Sequence, residues 1–375
     1  MSSYADEARQ RDEGPHYCAQ PEVPRREFPA GTDPRRAAAI LVNEVKWVNG
    51  TTIRYYFFDR DTDGEEVTFS DGTTEFRTWT TDDAHKELVR SAFQHWADLG
   101  VGLEFLEVAE RSEAEVRIGF MQGDGSWSYL GRQVLGRGQD ERTMNFGWPL
   151  VDRPDGLDTA LHEIGHTLGL PHEHQNPNAG IVWNEEEVYR RLAAPPNRWS
   201  RETTFWNIIR KLEPDSVQGS DWDSNSVMHY PFEAGMILVP ERFQSESLVP
   251  AGGLSDRDGS WILTFYPPND DRDRLPKLEP FHSVPLELAP SQQRDFRVEP
   301  DATREYQFQT FGSSDAVIVL FEEVDGALRY RAGDDDSGED RNAFMKVKLF
   351  KGRRYVLRIR LYYAWASGQT AVMMW

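Results

Sequence analysis

One cysteine, Cys18, serves all 375 residues, so no disulfide can form within the chain. Its stability has to come from packed cores. That fits a reducing compartment, or a bacterial exported protein that needs no bridges. No apolar run approaches the roughly 20 residues needed to span a bilayer. The opening stretch MSSYADEARQRDEG lacks the apolar segment of a secretory signal peptide. The chain is therefore expected either to stay in the cytoplasm or to leave by a non-classical route. Basic residues are also short: 42 Lys and Arg face 63 Asp and Glu, for a net charge of −21. Such a surface repels nucleic acid and anionic membrane, and neither is expected as a partner. No internal repeat at a fixed period is present, and a monomer is expected.

What the chain does hold is apolar and aromatic material: 38% hydrophobic residues, with 20 Phe, 13 Tyr and 12 Trp. That is enough for packed cores, and the length suits two domains. Residues 1–36 are polar and proline-rich and read as an irregular leader. TTIRYYFF (51–58), LEFLEV (103–108) and AEVRIGF (114–120) read as strands. DDAHKELVRSAFQHWADL (82–99) reads as a helix with Leu88, Phe93 and Trp96 inward. GLDTALHEIGHTLGL (156–170) reads as a second helix, with Asp158 as N-cap and Gly169 as left-handed C-terminal cap. The prolines of 269–290 read as a linker. Beyond it, in 291–375, short alternating runs separated by turn clusters such as DGALR and DDDSGED predict a small all-β sandwich.

Four of the nine histidines crowd into HEIGHTLGLPHEH, His162 to His174. Positions i and i+4 of a helix share a face, so His162 and His166 can aim two imidazoles at one point. Zinc suits that pair, at Zn–N distances of about 2.0–2.1 Å. Glu163 lies one residue round the helix. It cannot share the ligand direction, but it can reach a water on the metal and act as general base. A third ligand further along the same helix would point past the metal. Gly169 stops the helix, and His172 returns from another side. Three neutral imidazoles leave a fourth position open, which marks a catalytic zinc site. The plain alternative is a helix with scattered histidines. H-E-x-x-H arises by chance in about one chain in a hundred of this length, and a fixed Gly and third His lower that by roughly three orders of magnitude. The complete pattern is that of the metzincins.

The stretch continues as His172-Glu173-His174, and SVMHY follows at 226–230. A Glu directly after the third histidine, and a methionine turn of this form, resemble the astacin family of zinc metalloproteases. A tyrosine after that turn is also a serralysin feature, and Glu173 with His229 tips the likeness to astacins. Three further stretches resemble the family. AAAILVNEVKW (37–47) is similar to the start of mature astacins. WSYLG (127–131) is similar to the segment beside the substrate-binding edge strand. LSDRDGSWILTFYP (254–267) is similar to the final helix and closing tyrosine. The resemblance implies an α+β metzincin zincin catalytic domain over 37–268, with one catalytic Zn2+. It implies Met228 as the hydrophobic floor of the site. It also implies Tyr230 as a displaceable zinc ligand that swings away to hydrogen-bond the oxyanion. The 291–375 region resembles bacterial pre-peptidase C-terminal sandwiches, which implies substrate or surface binding, or stabilisation.

The chain departs from the family in having no disulfide, in Leu170-Pro171 after the motif glycine, and in QNPNAG after His174. None of these touches the metal chemistry. The expected function is a zinc endopeptidase acting on peptides or proteins. The alternative is a catalytically inactive zincin-fold binding module, and the intact His162, Glu163, His166, His172, Met228 and Tyr230 weigh against it. A zinc hydrolase of non-peptide bonds is a minor option. The basic pair in RRAAAIL (35–41) marks a cleavage point after Arg36 or Ala37. In mature astacins the new α-ammonium reaches the Glu after the third ligand, here Glu173. Cys18, in PHYCAQP, is a candidate fourth zinc ligand in an uncut, latent form, since thiolate binds zinc strongly. Matrixins use such a cysteine, astacins more often an aspartate. The carboxylates of Asp334–Asp340 could hold Ca2+, against the plainer reading of a solvated turn. His16, His85, His95 and His282 read as surface or packing residues.

Overall fold

A computed structural model describes residues 15–23, 45–69, 71–151, 153–212, 221–269, 274–324 and 326–375. Two compact units divide them. The first ends at Asp258, and the second runs from Gly259 to Trp375 and takes in Val48–Ile53 and Trp96–Leu106. No helix among the described residues is long and apolar enough to cross a membrane.

The N-terminal half is built on a five-stranded sheet. Its strands are β1 (Thr52–Phe57), β4 (Glu104–Glu107), β5 (Val116–Gly119), β6 (Trp127–Ser128) and β7 (Met144–Asn145), in the order β4-β1-β5-β7-β6. The strand β1 runs parallel to β5 and β5 to β7, while β6 is antiparallel to β7 and forms the edge. A hairpin of β2 (Gly64–Thr68) and β3 (Thr74–Thr78) leaves the sheet. Helix α1 (Asp83–Asp98) turns Val89, Phe93 and Trp96 inward, while Leu88 is only half-buried. That i, i+4, i+7 stripe is the true apolar face. Phe93 stacks on Tyr55 of β1 with ring centroids 4.2 Å apart.

Helix α2 (Gly156–Thr167) begins at the residue the sequence predicts but is not capped by Asp158. Its N-cap is Asp155, and the Asp158 carboxylate instead accepts the Gly253 N–H at 2.7 Å. Gly156 fits this start because a Cβ there would lie 1.9 Å from the Leu150 carbonyl oxygen. Further on come β8 (Val182–Trp183), α3 (Glu185–Leu192), β9 (Ile237–Val239) and α4 (Asp256–Phe265), with β8 antiparallel to β9.

The second unit contains two antiparallel four-stranded sheets. One has the order β10-β17-β12-β15, from β10 (Val284–Leu288), β12 (Arg304–Phe311), β15 (Phe344–Leu349) and β17 (Gly368–Met374). The other has the order β11-β16-β13-β14, from β11 (Gln293–Val298), β13 (Ala316–Val324), β14 (Ala327–Asp334) and β16 (Tyr355–Leu361). One apolar cluster draws Leu288, Phe308 and Val372 from the first and Phe296, Leu320 and Leu357 from the second. This is the expected sandwich, with two corrections. Residues 284–288, read as linker, form a strand that tolerates Pro285 because β10 is a sheet edge. DGALR, read as a turn, supplies the first residues of β14.

The calcium expectation gains no support. Asp334 uses its carboxylate on the Ser337 and Phe344 N–H groups, at 3.0 and 2.8 Å, and on the Ser337 hydroxyl. Among the described residues, the carboxylates of Asp334–Asp340 do not gather into a group that could hold a metal.

Arg358 and Asp295 pair at 2.5 and 2.8 Å with both side chains only 2% exposed, and Arg358 also donates to the Asn49 carbonyl. Removing one partner strands a buried charge. Arg358→Met is expected to cost about 3–5 kcal/mol in urea unfolding of the full chain, and adding Asp295→Leu should recover most of it.

Candidate active site

Helix α2 carries His162, Glu163 and His166 on buried turns. The His162 Nδ1–H donates to the Val227 carbonyl at 2.8 Å and the His166 Nδ1–H to the Leu170 carbonyl at 2.7 Å. These bonds select the tautomer that leaves each Nε2 with a free lone pair. Gly169 then takes φ +89°, and the N–H groups of Gly169 and Leu170 close back on the His166 and Gly165 carbonyls at 2.8 and 3.0 Å. The turn delivers His172 beside His166, with their Nε2 atoms 3.1 Å apart. Two acceptor nitrogens at that distance repel unless a cation or a proton lies between them.

Cys18, His162, His166 and His172 are all buried, and their ligand atoms lie within 4.8 Å of one another. His162 Nε2 is buried without a hydrogen-bond partner. Burial pushes the His162 imidazole down to about 4, and burial with neighbouring imidazoles lowers His166 and His172 as well. The rings are therefore neutral, as metal ligands must be. Three borderline nitrogen donors and one sulfur donor converging on one point fit a tetrahedral zinc ion. His174 turns away, and its Nε2 pairs with the Asn207 carbonyl at 2.9 Å.

Glu163 lies beside this cluster. Burial raises its pKa, and its carboxylate faces the Cys18 thiol at 3.6 Å. The Tyr230 hydroxyl reaches both His172 Nε2 and the Cys18 carbonyl, the latter at 2.8 Å. Met228 is buried, and its carbonyl accepts the Glu173 N–H at 3.0 Å. The Glu173 carboxylate holds the Asp223 N–H at 3.0 Å and the Asn176 amide at 3.2 Å, and burial pushes it up to about 7. The RRAAAIL junction and the α-ammonium expected to reach Glu173 lie outside the described residues.

His16 takes the packing role of the two expected for it. Its ring tilts against Trp148 with centroids 4.6 Å apart, and it lines a cavity of about 230 Å³ shared with Cys18, His162, Glu163 and Asp158. His85, His95 and His282 join no metal cluster among the described residues.

The family model described as Astacin, a peptidase family, matches residues 62–236. The solved structure of myroilysin is 30% identical with a TM-score of 0.51, over 61% of this chain and 98% of that one. The chain belongs to the astacin family. Among curated astacin relatives, Tolloid-like protein 1 of Homo sapiens is 28% identical over 183 residues, 46% of this chain but 16% of that protein. The chain thus spans about a sixth of that relative's length. Serralysin of Photorhabdus luminescens is 33% identical over 95 residues, 23% of this chain and 19% of that protein.

Within this astacin fold one residue that does not stand out in the sequence supports the cluster. The Asp258 carboxylate accepts from the Ser226 hydroxyl at 2.6 Å and from the Val227 N–H at 2.9 Å. Val227 in turn accepts from His162. Asp258 lies in LSDRDG, but nothing in that string reveals which backbone it grips. Partners of this kind orient metal ligands, and losing one typically costs 10- to 100-fold in metal affinity. Asp258→Ala is expected to weaken zinc binding by about that factor in a chelator competition, with urea unfolding showing how much of the loss is global.

Proposed function

We propose that this chain is a zinc endopeptidase held latent by its N-terminal segment. The observation that carries the reading is the convergence of three buried imidazoles, each able to offer a lone pair, beside the carboxylate of Glu163. An inactive binding module has no use for that carboxylate, and a closed structural site would not leave it a role.

His162, His166 and His172 would hold the zinc. When bound, zinc supplies Lewis-acid polarisation of the attacking water and the scissile carbonyl. Glu163 takes the proton of that water and delivers it to the leaving amine. The Tyr230 hydroxyl, already within reach of His172, donates to the developing oxyanion once it swings free. Met228 closes the floor of the site. Peptides and proteins are the substrates.

Latency rests on Cys18. Its Sγ shares the focus of the three imidazoles and stands against Glu163, where the attacking water has to be. Burial and the Glu163 charge both raise its pKa, so the thiol ionises there only with a cation to accept it. Release of the segment, through the cut after Arg36 or Ala37, frees the position.

Two measurements test these assignments. Glu163→Gln is expected to keep zinc by elemental analysis while casein hydrolysis falls by about 10²- to 10⁴-fold; wild-type turnover in that variant would remove Glu163 as base. Cys18→Ala is expected to raise the activity of the uncut chain, and equal activity of the two uncut proteins would remove the latch.

A further inference from the structure

The described part of the N-terminal segment lies in the cleft as an extended peptide, and its main chain is gripped at four points. The Ala19 N–H donates to the Ser126 carbonyl at 3.3 Å, next to edge strand β6. The Tyr230 hydroxyl donates to the Cys18 carbonyl at 2.8 Å. Asn197 makes the other two: its Oδ1 accepts the Tyr17 N–H at 3.1 Å, and its Nδ2 donates to the Pro15 carbonyl at 3.0 Å. All four contacts read backbone, which every peptide has. They therefore hold a peptide without selecting one, and selection falls to side chains.

Tyr17 is the side chain that fills a pocket. It is 3% exposed, one residue from the sulfur at the metal cluster. Its ring lies edge-on to Tyr230 at 5.1 Å, stacks on Phe232 at 5.8 Å and tilts against Trp199 at 6.1 Å. Its hydroxyl donates to the Pro231 carbonyl at 2.8 Å. The walls are fixed by bonds that do not involve the segment. Phe232 pairs with Leu248 through two backbone bonds of 2.8 Å, and the Trp199 N–H donates to the Leu192 carbonyl at 2.8 Å. The bonds that frame this pocket do not depend on the segment, and aromatic faces line it beside the metal cluster.

We propose that the pocket formed by Trp199, Phe232 and Pro231 is a specificity subsite, and that the cleft selects peptides with an aromatic residue, tyrosine above all, next to the bond at the metal. Asn197 is the positioning residue that holds such a peptide by its main chain. This rests on the endopeptidase reading for the word substrate, but not for the binding. An aromatic side chain that fills the pocket gains offset and edge-on ring contacts that an aliphatic or charged one does not. The Pro231 carbonyl adds a partner that tyrosine can satisfy and phenylalanine cannot.

The test uses the full, zinc-loaded chain with Tyr17→Ala and Cys18→Ala, which empties the pocket and the cluster. Two peptides are titrated calorimetrically: PHYAAQPEV, and the same peptide with Tyr replaced by Ala. The tyrosine peptide is expected to bind at least about tenfold tighter, as burial of one aromatic ring allows. Adding Trp199→Ala to the protein should bring the ratio below about threefold. In a digest of an unbiased peptide library, one position flanking the cut should be enriched in Tyr, Phe and Trp. Equal affinities of the two peptides overturn the proposal, and so does tighter tyrosine binding with a library digest indifferent to aromatics. Tighter tyrosine binding with no cleavage of any library peptide leaves the aromatic subsite standing and sinks the endopeptidase reading instead.

Discussion

Three buried imidazole nitrogens facing one another is the constraint around which the N-terminal unit is organised. His166 Nε2 and His172 Nε2 are 3.1 Å apart, and His162 Nε2 has no hydrogen-bond partner. Unpaired polar atoms in a low-dielectric interior are costly, so the arrangement persists only because the surroundings over-determine it. The carbonyls of Val227 and Leu170 take the outward nitrogens, and Asp258 pins the turn that presents Val227. A cation at the focus converts the liability into binding energy, which is why a site of this kind ties metal to fold stability.

The N-terminal segment meets this site as a peptide meets a peptide-binding cleft. Its grip combines backbone hydrogen bonds with side-chain contacts from His16, Tyr17, Cys18 and Gln20. Cys18 is available for that position because the chain makes no disulfides. The stabilisation that bridges supply in small exported domains comes here from aromatic packing, as between Tyr55 and Phe93, and from satisfied buried polar groups such as Arg358 with Asp295.

Burial sets the electrostatic tone of the site. It lowers the pKa of the imidazoles and raises those of Glu163, Tyr230 and Cys18, in each case favouring the uncharged form. A metal ion reverses that preference for the acids without changing the tautomers of His162 and His166, because backbone carbonyls hold those two. The same burial supplies the metal ligands and makes the activity of Glu163 conditional on the metal.

The sequence alone determined whatever follows from neighbours along the chain. The i, i+4 spacing aligned His162 with His166, and Gly169, at φ +89°, ended the helix where the motif required. Alternation revealed sandwich strands such as β12 and β17, whose buried and partly exposed residues alternate. Local pattern failed where context overrides it. Pro285 disguised β10, whose edge position forgives the missing N–H. Asp158 has the chemistry of an N-cap, but α2 is capped at Asp155 and the Asp158 carboxylate accepts the Gly253 N–H instead. Only the tertiary structure decided that Asp258 holds Val227, that Asn197 grips the N-terminal segment and that Tyr17 fills an aromatic pocket. Those contacts join residues 31, 180 and 215 positions apart, as in Asp258 to Val227, Asn197 to Tyr17 and Phe232 to Tyr17. A hydrogen bond or ring contact at that separation leaves no period, spacing or composition in the chain, because it depends on where the fold brings two distant backbones together.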